Sequence, residues 1–368
     1  MKYYQAIKFI IIIIICIAIT NNHVFLYHKI ETDLKNKTPT SLKTGVNQFS
    51  FSRPPSIDLK KKMGQNQDKL TERERLKTDE MKDYYLISFP SKKQISGSDR
   101  SSKSFQPITS ISIRKNADFP IYASSGSGSP NNPYIIEGYN ITASGTLIKV
   151  NGTSAYFIIR NNVLNGNGNL KGIQFENVQY GTIYNNSIYS IKRGVYLSAC
   201  TNITMSNNEI YNISADTFRV EQSAHITMVN NTVWNVSTKV FDVEQSTYIT
   251  MVNNTVWNVR GNAFEVEQST YITMVNNTVW NISSAAVYFS ASKNTKLINN
   301  VIARSRVGVW FLNTTNITMS NNTAWNIKSN AFDVRGSTYI TMTNNTAWNI
   351  KSNAFDVRGS TYITMTNN

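Results

Sequence analysis

The sequence predicts an all-β chain wound as a three-sided parallel β-helix, and three observations carry that expectation. Adjacent asparagine pairs begin at Asn161, Asn185, Asn207, Asn230, Asn253, Asn276, Asn299, Asn321, Asn344 and Asn367, at intervals of 22 to 24 residues. A fixed period of this length marks a solenoid, in which each repeat buries its apolar face against its neighbours. Each period also holds three short alternating runs. In FDVEQSTYITMVNNTVWNV, residues 241–259, they are FDV, YITMV and TVW. Alternation turns every second side chain inward, and Thr, Val, Ile, Tyr and Trp are strand formers. Finally, residues 321–343 and 344–366 are identical, NNTAWNIKSNAFDVRGSTYITMT, so the copies stack in register. Three strands per coil of 22–23 residues, rising about 4.8 Å per coil, make about ten coils a rod about 50 Å long.

The elements follow in order. Lys2 and Lys8 introduce the apolar run 9–19, which reads as a signal peptide or an uncleaved membrane anchor over residues 1–20. Residues 21–106 are polar and charged without sustained periodicity, and are expected to form a disordered linker. Residues 107–145 form the lead-in and first coil: ITSISI alternates, SSGSGSPNNP is a turn cluster, and YIIEGYNI is strand-like. Residues 146–368 carry the repeats. The chain stops at Asn368 just as a corner begins, which reads as truncation of a longer protein or as an end open to end-to-end association.

Charge and cysteine narrow the function. The net charge is +15, but residues 1–116 carry 21 Lys+Arg against 10 Asp+Glu and residues 117–368 carry 16 against 12. The repeats therefore hold only +4, with no basic column for a phosphate backbone, and nucleic acid is not an expected partner. Cys16 lies in the leading apolar run, so Cys200 has no partner for an intrachain disulfide. His23, His28 and His225 are scattered, and no histidine metal site is expected.

The register assigns the inward columns. On the first face they are Phe218, Phe241, Phe264, Val287, Val309, Phe332 and Phe355. On the second they include Met205, Met228, Met251, Met274, Leu297, Met319, Met342 and Met365, where Leu297 argues for packing over soft-metal binding. On the third they are Val233, Val256, Val279, Val301, Ala324 and Ala347. The asparagines mark the corner between second and third faces, where stacked amides satisfy one another. Asn230, Asn253 and Asn344 also begin N-glycosylation sequons; a buried corner would make those matches accidental, leaving Asn140 and Asn151 as better acceptors.

This coil pattern resembles the right-handed parallel β-helix repeats of the pectin-lyase-like fold, and more narrowly its NosD-like, carbohydrate-active group. An apolar pair, an Asn and another apolar residue recur there about every 22 residues, and SPNNPYIIEGYNIT resembles the segment that opens such domains in microbial surface proteins. The resemblance covers roughly residues 107–368. It implies a right-handed helix, while the group mixes enzymes, binders and scaffolds.

Function then has to sit on the outward columns. On the first face Glu221, Asp242, Glu244, Glu265 and Glu267 crowd onto adjacent coils. Carboxylates this close call for a cation, a raised pKa or full solvation, and Ca²⁺ is the fitting metal. In the pectate lyases that the fold resembles, acids on this face hold calcium. Asp242, Glu244, Glu265 and Glu267 are also the acids a lyase or glycoside hydrolase would use. Against this, STK, RGN, SSA and KSN are short connections that wall no cleft. Asp333, Arg335, Asp356 and Arg358 read as a solvated, self-compensating lattice. On the third face Tyr189, Tyr211, Trp234, Trp257, Trp280, Ala303, Trp325 and Trp348 form one outward column, and Tyr288 and Trp310 add rings on the first. The Trp column either stacks on itself to pin the register or binds glycan. The expectation is an exported or membrane-tethered surface protein that binds carbohydrate or envelope components without assigned catalysis. The alternatives are the acid-face enzyme and a purely structural rod.

Overall fold

A computed structural model describes residues 106–168 and 171–368. The apolar leader and nearly all of the linker lie outside the described residues. Among the described residues no helix is long and apolar enough to cross a membrane.

Parallel strands stack coil upon coil from Gln106–Ile108 to Thr361–Thr366. One coil serves for all. Phe241–Glu244 forms the first face, Thr247–Val252 the second and Thr255–Val259 the third, before Phe264–Glu267 begins the next coil. Each strand pairs in parallel with its copy one coil later: Phe241 with Phe264, Met251 with Met274, Trp257 with Trp280. Four residues per coil bend the strands apart by taking the left-handed conformation: Gln245, Tyr248, Asn253 and Asn258, with φ from 49° to 57°. Asn tolerates that region because its short amide bonds locally; other residues with a Cβ pay about 1–2 kcal/mol each.

The interior is a stack of like on like. Phe218, Phe241 and Phe264 are fully buried and lie parallel at 4.9 and 4.6 Å between centroids. The Met column from Met205 to Met342 is fully buried, with Leu297 in register. At the last coil Ile363 and Met365 are 41% and 44% exposed. The short helix Phe119–Tyr122 closes the first coils, its buried Phe119 stacked on Tyr134 and packed on Phe157, each at 4.9 Å.

The asparagine corner divides its labour. The first residue of each pair makes the left-handed bend, as Asn230 and Asn253 do at φ 56° and 54°. The second is buried and forms the ladder. Asn254 donates from Nδ2 to Met228 O at 2.9 Å and to Asn277 Oδ1 at 3.0 Å, while its own Oδ1 accepts from N and Nδ2 of Asn231. The link repeats from Asn162 to Asn368. A buried amide with both donors and its acceptor engaged escapes the desolvation cost of a polar core residue.

The structure differs from the register expected of the sequence at two places. Asn230, Asn253 and Asn344 are exposed, because only the second member of each pair turns inward, whereas Thr153 in the Asn151 sequon is buried. Val301 does not continue the third-face core: it pairs with Thr278 and points outward, and Ile302 pairs with Val279 inside. Both residues after Asn299 and Asn300 are apolar, so alternation alone could not choose between them.

Candidate functional site

The acidic column of the first face is built around protein cations. Strands Phe218–Glu221, Phe241–Glu244 and Phe264–Glu267 place the five acids on three successive coils. Arg219, on the lowest of them, bonds Glu221 on its own strand and Asp242 one coil up, and its Nη2 reaches Glu244 Oε2 at 2.8 Å. Lys239, from the turn before Phe241, sets its Nζ 3.3 Å from Asp242 Oδ1 and 2.6 Å from Glu265 Oε1. Asn262 donates to Glu265 Oε2 at 2.7 Å, and the Tyr196 hydroxyl donates to Glu221 Oε2 at 2.7 Å. Asp242 and Glu265 are consequently 2% and 6% exposed rather than presented to solvent. The sequence places the acids together as expected, but the cation they require is already supplied.

Burial sets the protonation of these groups. It pushes the Asp242 carboxyl above the usual range, outweighing the pull of Lys239 and Arg219. Glu267 is also raised, first by burial and then by the neighbouring charge of Glu265. Burial opposes ionisation of Glu221 too, yet the hydrogen bonds from Tyr196 and Arg219 and the charge of Arg219 together hold it below the usual range. Among the described residues no group of three or more His, Cys, Asp or Glu is arranged to hold a metal ion, so the Ca²⁺ reading of Glu221, Asp242, Glu244, Glu265 and Glu267 gains no geometric support. The upper part of this face departs from the solvated lattice expected of it. Asp333 and Asp356 are 3% and 7% exposed, and Asn330 Nδ2 bridges them at 2.9 and 2.8 Å. Arg335 clasps Asp333 with Nε and Nη2, and Arg358 Nε bonds Asp356 at 2.7 Å. The arginine stems lie across their own strand and cover the shorter acids.

The tryptophans of the third face stack as a ladder. Tyr189, Tyr211, Trp234, Trp257 and Trp280 follow one another at 4.5 to 5.1 Å with ring planes within 10°. Ala303 interrupts the column, and Trp325 and Trp348 resume it at 5.1 Å. Each ring inside the ladder therefore has both faces covered by its neighbours, is half-buried, and shows solvent an edge. Tyr288 and Trp310 are instead tilted at 58°, with Arg335 over the Trp310 ring at 5.7 Å.

A second aromatic ladder is the more exposed. His225, Tyr248 and Tyr271 stack at 4.8 Å on the second face, and Tyr339 and Tyr362 repeat the arrangement. The tyrosines are 47% to 71% exposed. Between the two groups the same left-handed position is held by Asn294 and Asn316, whose amides join at 2.7 Å. The neighbouring outward position, Thr250, Thr273 and Thr318 in adjoining coils, becomes Lys296. The result is a trough of about 360 Å³ walled by Tyr271 and Tyr248 and floored by Asn294, Lys296 and Asn316. The repeat pattern alone did not single out this trough. Its signal was the break in an otherwise faithful repeat at residues 293–296.

A family model described as right handed beta helix region matches residues 97–245 and 239–368. No curated protein matches the chain in sequence. Among solved structures, the chain is similar to the A-module of a mannuronan C-5 epimerase of Azotobacter vinelandii, at 12% identity and a TM-score of 0.46 over 63% of this chain and 88% of that one. It is also similar to the catalytic domain of a GH87 α-1,3-glucanase in complex with nigerose, at 14% identity and a TM-score of 0.46 over 71% and 62%. The enzymatically active domain of tailspike protein 2 of bacteriophage CBA120 gives 10% identity and 0.47 over 73% and 50%. The chain thus spans less than two thirds of the glucanase and tailspike domains, and at these identities the likeness is one of fold alone.

Proposed function

Because this chain belongs to the right-handed β-helix family, we propose that it is a surface rod that binds carbohydrate of a cell envelope and does not cleave it. The observation that carries the proposal is the exposed tyrosine ladder, 47% to 71% accessible on an open face. Rings held rigid by stacking offer an amphipathic surface to sugar at little entropic cost. The short connections, such as residues 260–263 between Val259 and the strand at Phe264, raise no wall around the acid face. Asp242 and Glu265, the deepest acids there, are engaged by Arg219 and Lys239. Export belongs to the same proposal, supported by the basic residues and apolar run at the start of the chain.

A glycan array with the full chain tests binding. Retention of oligosaccharide, reduced at least tenfold in a Tyr339→Ala, Tyr362→Ala pair or a Trp257→Ala, Trp280→Ala pair, assigns the face. Absence of retention on any glycan would leave a structural rod. Cleavage by a polysaccharide lyase or a glycoside hydrolase is the rival reading, favoured by the raised carboxyl of Glu267. Release of reducing ends or unsaturated products that disappears in Glu244→Gln would replace the binding proposal with catalysis. Protease shaving of intact cells checks export: a rod that survives it untouched is not on the surface.

A further inference from the structure

We infer that the trough at the end of the Tyr271 ladder is a subsite for one pyranose ring carrying an anionic substituent. The inference rests on the carbohydrate reading above and adds a place and a charge to it. Its basis is a local change in the repeat. In the adjoining coils the left-handed position of the second face is His225, Tyr248 and Tyr271, then Tyr339 and Tyr362, with His225 stacked on Tyr248, Tyr248 on Tyr271 and Tyr339 on Tyr362. At Asn294 and Asn316 the aromatic is withdrawn for two coils. Tyr271 and Tyr339 are then three coil steps apart, about 14 Å at the usual strand spacing. The upper face of Tyr271 looks onto amides rather than onto another ring.

The lining fits a sugar in three respects. The volume, about 360 Å³, is within the range of small-ligand sites and large enough for one pyranose with its hydroxyls. The Asn316 Nδ2 to Asn294 Oδ1 bond uses one donor and one acceptor of that amide pair, which leaves Asn294 Nδ2 and Asn316 Oδ1 for ligand hydroxyls. Threonine hydroxyls at Thr273 and Thr318 flank them. The charge is specific to this coil. Lys296 is the single charged residue lining the trough, and it stands where the coils on either side have threonine. Lys293, one position before Asn294, likewise replaces Thr270 and Thr315 and is exposed. A carboxylate or sulfate on the ring would meet an ammonium group at one edge, and a charge-assisted contact is stronger than a neutral one.

The test uses the repeat's own residues, so that each variant restores a coil already present elsewhere in the rod. Lys296→Thr copies Thr273 and Thr318, and Asn294→Tyr continues the ladder over Tyr271. Titration calorimetry would compare the full chain and both variants. The probes are a hexuronate-containing tetrasaccharide, its carboxyl-reduced neutral counterpart and an O-sulfated form of that counterpart. The expected result is at least tenfold tighter binding of the carboxylated or sulfated probe than of the neutral one, and which of the two is preferred identifies the substituent. That preference is lost in Lys296→Thr, and binding of all three is lost in Asn294→Tyr. Anionic probes that bind Asn294→Tyr as well as wild type would overturn the trough while leaving the carbohydrate reading intact. A neutral probe that binds wild type as tightly as the others would overturn the charge assignment. No binding of any probe, with none on the wider array, would overturn both readings.

Discussion

The asparagine corner and the acid face are two columns of polar side chains stacked at the same spacing, and they are stabilised in opposite ways. At the corner like sits on like. Asn231, Asn254 and Asn277 are chemically identical, yet each finds in the next everything it needs, because an amide carries donors and an acceptor together. A carboxylate carries acceptors only. Asp242 under Glu265, and Glu221 under Glu244, have nothing to give one another, and their charges repel at strand spacing. That face holds together through residues of other kinds: Arg219 and Lys239 low on the rod, Asn330 and Arg335 higher up. A solenoid can thus repeat an amide or an aromatic ring without limit, but an acid column has to be broken by a cation or an amide.

The sharpest way to break this contrast is Asn254→Asp, which puts the first-face residue type into the corner with almost no change of shape. The variant loses the donor to Met228 O and Asn277 Oδ1 and adds a buried charge. The expected loss at neutral pH is about 4 kcal/mol, read as a fall in the denaturation midpoint. The new carboxyl is raised in the folded state, so the loss should shrink as pH falls from the folded pKa toward the ordinary carboxylate range, and be smallest below it. A midpoint equal to wild type at neutral pH would refute the account of the ladder.

Lys239→Met should have the next largest effect. It leaves Asp242 and Glu265, at 2% and 6% exposure, without their shared ammonium. Because Lys239 itself is about a third exposed, water compensates in part, and the expected cost is about 2 kcal/mol. Thermal melts at neutral and acidic pH would show the defect narrowing as Asp242, whose carboxyl burial already raises, takes up its proton. The smallest effect belongs to Glu267. Its carboxyl binds its proton more tightly in the folded rod than in the unfolded chain. Its contribution is therefore fully present below the unfolded pKa and is lost as pH rises through the folded one. Glu267→Gln should flatten the stability profile just above the ordinary glutamate range. An unchanged slope there would return Glu267 to ordinary solvation.

Much of the architecture was legible because a stacked column repeats its own residue. The Phe and Met columns, the Trp stripe and the corner all announce themselves at one period. The period assigns Val301 to the core in place of Ile302 because two apolar residues stand side by side there and alternation does not distinguish them. A serine ladder at the corner between first and second faces escaped notice, although Ser223, Ser246 and Ser269 recur at the same interval. There each backbone N–H bonds the next hydroxyl at 3.0 to 3.2 Å. The burial of Asp242 was not legible, since its partners come from a turn three residues back and from the coil below. The trough was visible only as a lapse in the repeat, and its shape depends on rings one coil away.

The amide ladder has one more consequence. In all nine links, from Asn162 to Asn368, Nδ2 donates toward the later coil and the oxygen accepts from the earlier one. The dipoles of these ten amides, nine of them buried, are therefore aligned along the axis, and none is turned against its fellows. Aligned hydrogen bonds polarise one another, so each link is strengthened by the rest of the row. The buried row thus has a direction along the axis that the side chains of the outward columns do not share.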